Sequence, residues 1–288
     1  MLARVRDLGT GGRLVAFALL LALVGGGAAA IGAASGTGAD VSKNEHDEMR
    51  EETYAQHAQA NGLASSAGGF TFAPGRTSFG TGTSAFRFRI LDEHDAPAHG
   101  FDLEGGVRLH LIVVRRDFTG YTHLHPRLQA DGSWLVPLRF GAPGVYRAFA
   151  DFEHGGRKTV LGRDLFVSGE FGPRPLPPAT RTARVGAFTV TLAPQELHLA
   201  RPTDLRFTVS RHGRRVESFQ SYVGARGHLV ALHEGDVAYS HVHPLDGRAR
   251  GRIDFRAELH DPGRYRLFLQ FRVGGRVHTA PFTVEVRR

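Results

Sequence analysis

The most specific chemical signal in the chain is carried by histidines. His110, His123 and His125, the last followed by Pro126, recur as His228, His241 and His243 followed by Pro244, and both sets have the spacing H-x12-H-x-H-P. Neutral imidazoles are ligands for Cu(II), Zn(II) and Ni(II), and three of them leave a fourth position for water or another ligand. There is no cysteine, and the two methionines are Met1 and Met49. Thiolate zinc, iron–sulfur and blue-copper centres and any Cys nucleophile are therefore excluded, as are thioether Cu(I) sites in the folded part. With nitrogen ligands alone, the Irving–Williams order favours copper where it is present, so Cu(II) or Zn is the expected ion. The coincidence is selective. Of the other histidines only His94 and His212 correspond, depending on where a one-residue gap is placed.

A β-hairpin would bring these side chains together. Gly235 and Asp236 suit a two-residue loop with glycine first, which sets His228 opposite His243 and Leu229 opposite Val242. A turn centred on Asp117 and Phe118 does the same in the first copy, with His110 opposite His125 and Leu111 opposite Leu124. Side chains alternate with period two, so His123 and His241 project from the histidine face and the leucines point to the core. Opposed Cβ atoms lie about 5 Å apart and diagonal ones about 7 to 8 Å, close enough for three imidazoles to converge on one ion. This predicts one three-histidine site per copy. Against it, Ile112 and Val114 share the face of His110, so the alternative is a set of packed, hydrogen-bonded imidazoles that bind nothing.

The elements behind the motif belong to a duplication. Phe70-Thr71-Phe72 matches Phe188-Thr189-Val190, Pro143-Gly144-Val145-Tyr146-Arg147 matches Pro262-Gly263-Arg264-Tyr265-Arg266, and Gly155-Gly156-Arg157 matches Gly274-Gly275-Arg276. Within each copy, short alternating runs recur about every ten residues between Gly, Pro and Asp turns, the pattern of an antiparallel β-sandwich. Asp261, Gly263 and Tyr265 resemble the tyrosine corner of immunoglobulin-like domains, and Gly144 with Tyr146 repeats its second half. The expected fold is all-β, with two tandem immunoglobulin-like, Greek-key β-sandwich domains after an N-terminal transmembrane or signal helix. The segments are a basic cytoplasmic stretch (1–13), an anchor or signal peptide (14–34), a polar stalk (35–69), module 1 (70–170), a Pro-rich linker (171–183) and module 2 (184–288). The 288 residues suit two domains.

Arg4, Arg6 and Arg13 precede an uncharged apolar stretch from Leu14 to Ala34, and no positive charge follows until Lys43. The positive-inside rule puts the bulk of the chain outside the cytoplasm. The stretch reaches the roughly 20 residues that span a bilayer, while the small residues Ala28, Ala29, Ala30, Gly32 and Ala34 suit a signal peptidase. A single-pass membrane protein and a secreted one both remain open. The formal net charge is +8, but the arginines are scattered along alternating segments rather than gathered in one run. Nucleic acid is accordingly not an expected partner. Acidic residues of the stalk, such as Asp40, Glu45 and Asp47, read as a hydrated linker.

From Arg108 to Pro126 and from Tyr222 to Pro244 the chain resembles a group of actinobacterial exported or membrane-anchored proteins that carry this tandem module. In architecture alone it is similar to small β-sandwich copper carriers of bacterial copper resistance. Those use a histidine at the mature N-terminus, and no matching residue is present here. The expected partners are a metal ion at His110, His123, His125, His228, His241 and His243, an envelope protein, and the membrane through the N-terminal helix. The leading reading is non-enzymatic metal binding in copper or zinc homeostasis, and the alternative is a metal-free Ig-like envelope scaffold or interaction module. An enzyme ranks below both, because no carboxylate base stands at a fixed offset in both copies.

Overall fold

The structure is a computed structural model; it describes residues 61–288 except 195, 200, 201, 241, 246–249 and 288. The expected anchor (14–34), the basic segment before it and the stalk up to residue 60 lie outside the described residues. Among the described residues, no helix is long and apolar enough to cross a membrane. Everything described belongs to one compact unit, Thr53–Arg288.

The described chain is all-β. Module 1 begins earlier than expected, because Ser66–Ala67 at the end of the expected stalk pairs with Phe70–Thr71: β1 (Ser66–Ala67), β2 (Phe70–Pro74), β4 (Gly82–Leu91), β8 (Trp134–Phe140) and β7 (Arg127–Leu128) form one sheet in the order β1-β2-β4-β8-β7. Its partner sheet has the order β3-β10-β9-β5-β6, built from β3 (Ser78–Phe79), β5 (Leu109–Arg115), β6 (Thr122–Leu124), β9 (Gly144–His154) and β10 (Arg157–Val167). Module 2 repeats both sheets. One contains β11 (Thr182–Val185), β12 (Phe188–Ala193), β14 (Thr203–Arg211), β19 (Arg252–Ala257) and β18 (Val242–Leu245), with β15 (Arg214–Arg215) beside β14. The other has the order β13-β21-β20-β16-β17, from β13 (Leu197–His198), β16 (Gly227–His233), β17 (Tyr239–Ser240), β20 (Gly263–Val273) and β21 (Arg276–Arg287). In each module a short strand pairs in parallel with the last long one, β3 with β10 and β13 with β21. This strand order, with two facing sheets, is that of an immunoglobulin-like sandwich.

The alternation read from the sequence buries one face per strand. Phe86, Phe88 and Ile90 of β4 turn inward while Arg87 and Arg89 face solvent, and Leu205, Phe207 and Val209 of β14 do the same for module 2. Both tyrosine corners form. The Tyr146 hydroxyl donates to the Ala142 carbonyl at 2.8 Å, and Tyr265 to that of Asp261 at 3.0 Å. Burial and these bonds hold the cores without any disulfide.

β5 breaks the alternation, being buried along its whole length. Leu109, Leu111 and Val113 enter the core of module 1, whereas Ile112 and Val114 enter a third apolar cluster with Phe149, Val160, Val230, Leu232 and Phe268. That cluster lies between the modules, where the sheet carrying β5 faces the sheet carrying β16. Its two halves are equivalent: Tyr121 stacks on Phe268 with centroids 4.0 Å apart, and Tyr239 meets Phe149 at 5.6 Å. The duplicated modules therefore meet in a two-fold-like, self-complementary fashion. The Pro-rich segment contributes Leu176 to the cluster, so the expected spacer is part of the junction.

Candidate metal centre between the modules

β5 and β6 pair in the expected register, Leu111 opposite Leu124 and Ile112 opposite His123, so His110, His123 and His125 share one face. The His125 ring lies 5.2 Å from His110 and 4.8 Å from His123. The second copy departs from expectation. β17 keeps the register, with Ala231 opposite Ser240, but ends there, and the chain crosses to the other sheet. Val242 then pairs with Ala257 rather than Leu229, and His243 with Arg256 on β19, where its side chain is exposed. Pro244 lacks an N–H and suits β18, an edge strand. His228 and His243 thus stand on different sheets. His241 lies outside the described residues.

His228 is brought instead to the histidines of module 1. It stacks against its equivalent His110 with centroids 5.3 Å apart and against His123 at 4.3 Å. One ring nitrogen each from His110, His123 and His228 lies within 4.8 Å of the others. The described residues thus form one cluster shared by two modules, where the sequence predicts a separate site in each.

A hydrogen-bond chain fixes the ring orientations. His123 Nδ1 donates to Gln270 Oε1 at 2.7 Å, which leaves its Nε2 to accept from His110 Nδ1 at 2.9 Å. The Tyr222 hydroxyl lies 3.4 Å from His123 Nδ1. Gln270 itself is set by its amide, which donates to Thr279 Oγ1. A ligand imidazole whose other N–H is held by an oxygen acceptor is the usual second-sphere arrangement of metal sites. His228 Nδ1 and His125 Nε2 are buried without a hydrogen-bond partner among the described residues.

Burial dominates the electrostatics. It pushes the pKa of His110 down to about 4 and that of His228 to about 3, with neighbouring histidines adding to the effect. His123 is lowered well below the ordinary range by the same causes, and His125 is lowered by burial. All four are neutral at pH 7, the form in which imidazole binds a metal without first losing a proton.

Beside the cluster is a cavity of about 40 Å³. His110, His228, Asp151, Glu104, Lys158 and Tyr239 are among its lining residues. Asp151 is opposite His110 in the β5–β9 ladder and accepts a hydrogen bond from the Tyr239 hydroxyl at 3.0 Å. Its Oδ1 is buried with no partner among the described residues, and burial raises its pKa to about 6. Lys158 donates to Glu104 at 2.6 Å. The histidine spacing does not single out Asp151, Gln270 or Tyr222. A signal for the first two does exist, since they occupy equivalent positions as the lone polar residues in Phe149-Ala150-Asp151-Phe152 and Phe268-Leu269-Gln270-Phe271.

Among curated proteins none matches the sequence. Solved structures with some likeness include the Escherichia coli adhesin FdeC (14% identity, TM-score 0.25, 77% of this chain and 65% of that one). Invasin, a bacterial integrin-binding protein, gives 12% identity and a TM-score of 0.24 over 75% of this chain and 39% of its own. A chimeric titin Z1Z2 tandem gives 13% identity and a TM-score of 0.21 over 76% of this chain and all of its own. At these scores function does not transfer. The family described as a domain of unknown function, DUF8832, matches twice, at residues 67–168 and 183–288, one match per sandwich. The chain is a tandem member of the DUF8832 family.

Proposed function

We propose that this protein is an exported, membrane-tethered metal-binding protein that holds one Cu(II) or Zn ion at the junction of its modules, in copper or zinc homeostasis and without catalysis. The observation that carries the reading is the convergence of His110, His123 and His228 within 4.8 Å. Neutral rings, the Gln270 acceptor behind His123 and the unpartnered His228 nitrogen support it. The test is metal titration of the full chain, prepared without a histidine tag. One tight equivalent of Zn or Cu(II), lost in His123→Ala and in His228→Ala, is expected, and binding no tighter than that of surface histidines would refute the reading. The export reading rests on Arg4, Arg6, Arg13 and the apolar stretch Leu14–Ala34. N-terminal sequencing of mature protein tests it, since a start near Ile31 or Ser35 would exclude the tether.

One observation favours a second reading. The His110–His123–Gln270 chain already satisfies part of the cluster without an ion, which suits a metal-free Ig-like scaffold whose buried imidazoles only join two modules and whose surface engages an envelope protein. Failure of both metals to bind would select it.

A further inference from the structure

We infer that the metal ion is a cross-link between the two sandwiches, so that binding it locks their docking. This rests on the metal reading above and assigns the site a role. His110 and His123 come from β5 and β6 of module 1, His228 from β16 of module 2, so an ion held by all three belongs to both modules. The cluster continues the inter-module apolar patch along the same two strands, since His110 precedes Ile112 and Val114 on β5 just as His228 precedes Val230 and Leu232 on β16.

At the start of these strands the two modules touch again through equivalent tight turns. The turn closed by Glu104 and Val107 meets the turn closed by Tyr222 and Ala225. A Cβ on Gly105 would lie 2.3 Å from the Val223 carbonyl, and one on Gly224 would lie 2.6 Å from Gly105 Cα. The ligands therefore stand inside the interface, between an apolar patch and a backbone contact. The modules must be docked for His228 to reach the histidines of module 1. An ion that needs the docked form stabilises it by linkage, about 100-fold when its free concentration is 100 times Kd.

The described ligand set is asymmetric. Among the described residues, module 1 supplies two ligands and module 2 one, and His243, the equivalent of His125, is exposed on the other sheet. The described ligands therefore make one bridging site.

The experiment uses the full chain with a protease recognition sequence inserted between Gly172 and Pro173, where the backbone is exposed. After cleavage the two parts are held only by their interface. Their separation is followed by size-exclusion chromatography across a urea series, once with saturating Zn and once with EDTA. Zn is expected to raise the urea concentration of separation, and His228→Ala to abolish the shift. If intact protein binds one Zn yet the cleaved parts separate at the same urea concentration with and without it, the cross-link is overturned and the metal reading stands. If intact protein binds neither Zn nor Cu(II), the metal reading fails and the cross-link with it; if it binds Cu(II) alone, the same urea series is read with Cu(II) in place of Zn. The comparison of Zn with EDTA needs no histidine variant, so a misfolded His228→Ala leaves the test decisive.

Discussion

At the scale of single residues, the buried imidazoles give the metal-free chain a defined response to acid. In the unfolded chain each ionises near 6.5, whereas His110 and His228 in the native protein ionise near 4 and 3. Between those values the unfolded chain binds protons that the native one does not, so stability is complete above about pH 6.5 and falls as the pH drops toward 4. Asp151 acts in the opposite sense. Its pKa is raised from 3.8 to about 6, so its contribution is lost as the pH rises through that window. Several histidines against one aspartate leave acid destabilisation as the net effect, with Lys158 and Glu104 as the nearby charges. Urea unfolding in EDTA should show a loss of about 2 kcal/mol or more between pH 7.5 and 5, and an unchanged midpoint would contradict the neutral, buried state of the cluster. Gln270 gives a second test at this scale. Removing the acceptor of His123 Nδ1 frees the ring tautomer, so Gln270→Leu should weaken Zn binding about 10- to 100-fold while the protein still folds. Equal affinity by calorimetry would mean that the Gln270 contact does not orient a ligand.

At the scale of elements, the turns at the head of β5 and β16 have a requirement that only glycine meets. Gly105 has φ +59° and backbone atoms of Val223 where a Cβ would be, whereas its neighbour Gly106, at φ +86°, has open space. Gly106→Ala should cost only the conformational term, about 1 kcal/mol, and Gly105→Ala should cost more, up to about 3 kcal/mol, because it also pushes the turns apart. Equal losses in the two variants would show that the turns do not bear on each other. Much of this level was legible in the residues. Alternation in Phe86-Arg87-Phe88-Arg89 and Leu205-Arg206-Phe207 marks strands with one wet face, and Tyr146 and Tyr265 mark the corners. The shared face of His110, Ile112 and Val114 was legible too, as was the register through Leu111 and Leu124. What it faces was not, because a continuous apolar strand such as Leu109-His110-Leu111-Ile112-Val113-Val114 announces burial on both sides without naming the second partner. The crossing after Ser240 was equally hidden. Hairpin rules favour continuing the ladder to Val242, and only tertiary packing decides that β18 joins β19 instead.

At the scale of the whole molecule, duplication turns one module's outer face into the other's partner. Two sandwiches that each hide their core would be independent if Phe149, Tyr121, Val230 and Phe268 were exposed, but these residues are packed between the modules. The two halves should therefore unfold together rather than in sequence. Trp134, the single tryptophan, lies in the core of module 1 and reports on that half alone, whereas circular dichroism sees both. In the unmodified chain the fluorescence and dichroism transitions should coincide. Phe268 belongs to module 2, yet its ring stacks on Tyr121 of module 1 at 4.0 Å. Phe268→Ala should remove that stack and leave a cavity in the junction, costing about 3 to 5 kcal/mol, and it should move the Trp134 transition to lower urea although Trp134 belongs to the other module's core. If Trp134 instead unfolds at its original midpoint while the dichroism signal shifts, the modules are energetically separate, and an ion at His110, His123 and His228 would be joining two bodies that the apolar junction alone does not couple.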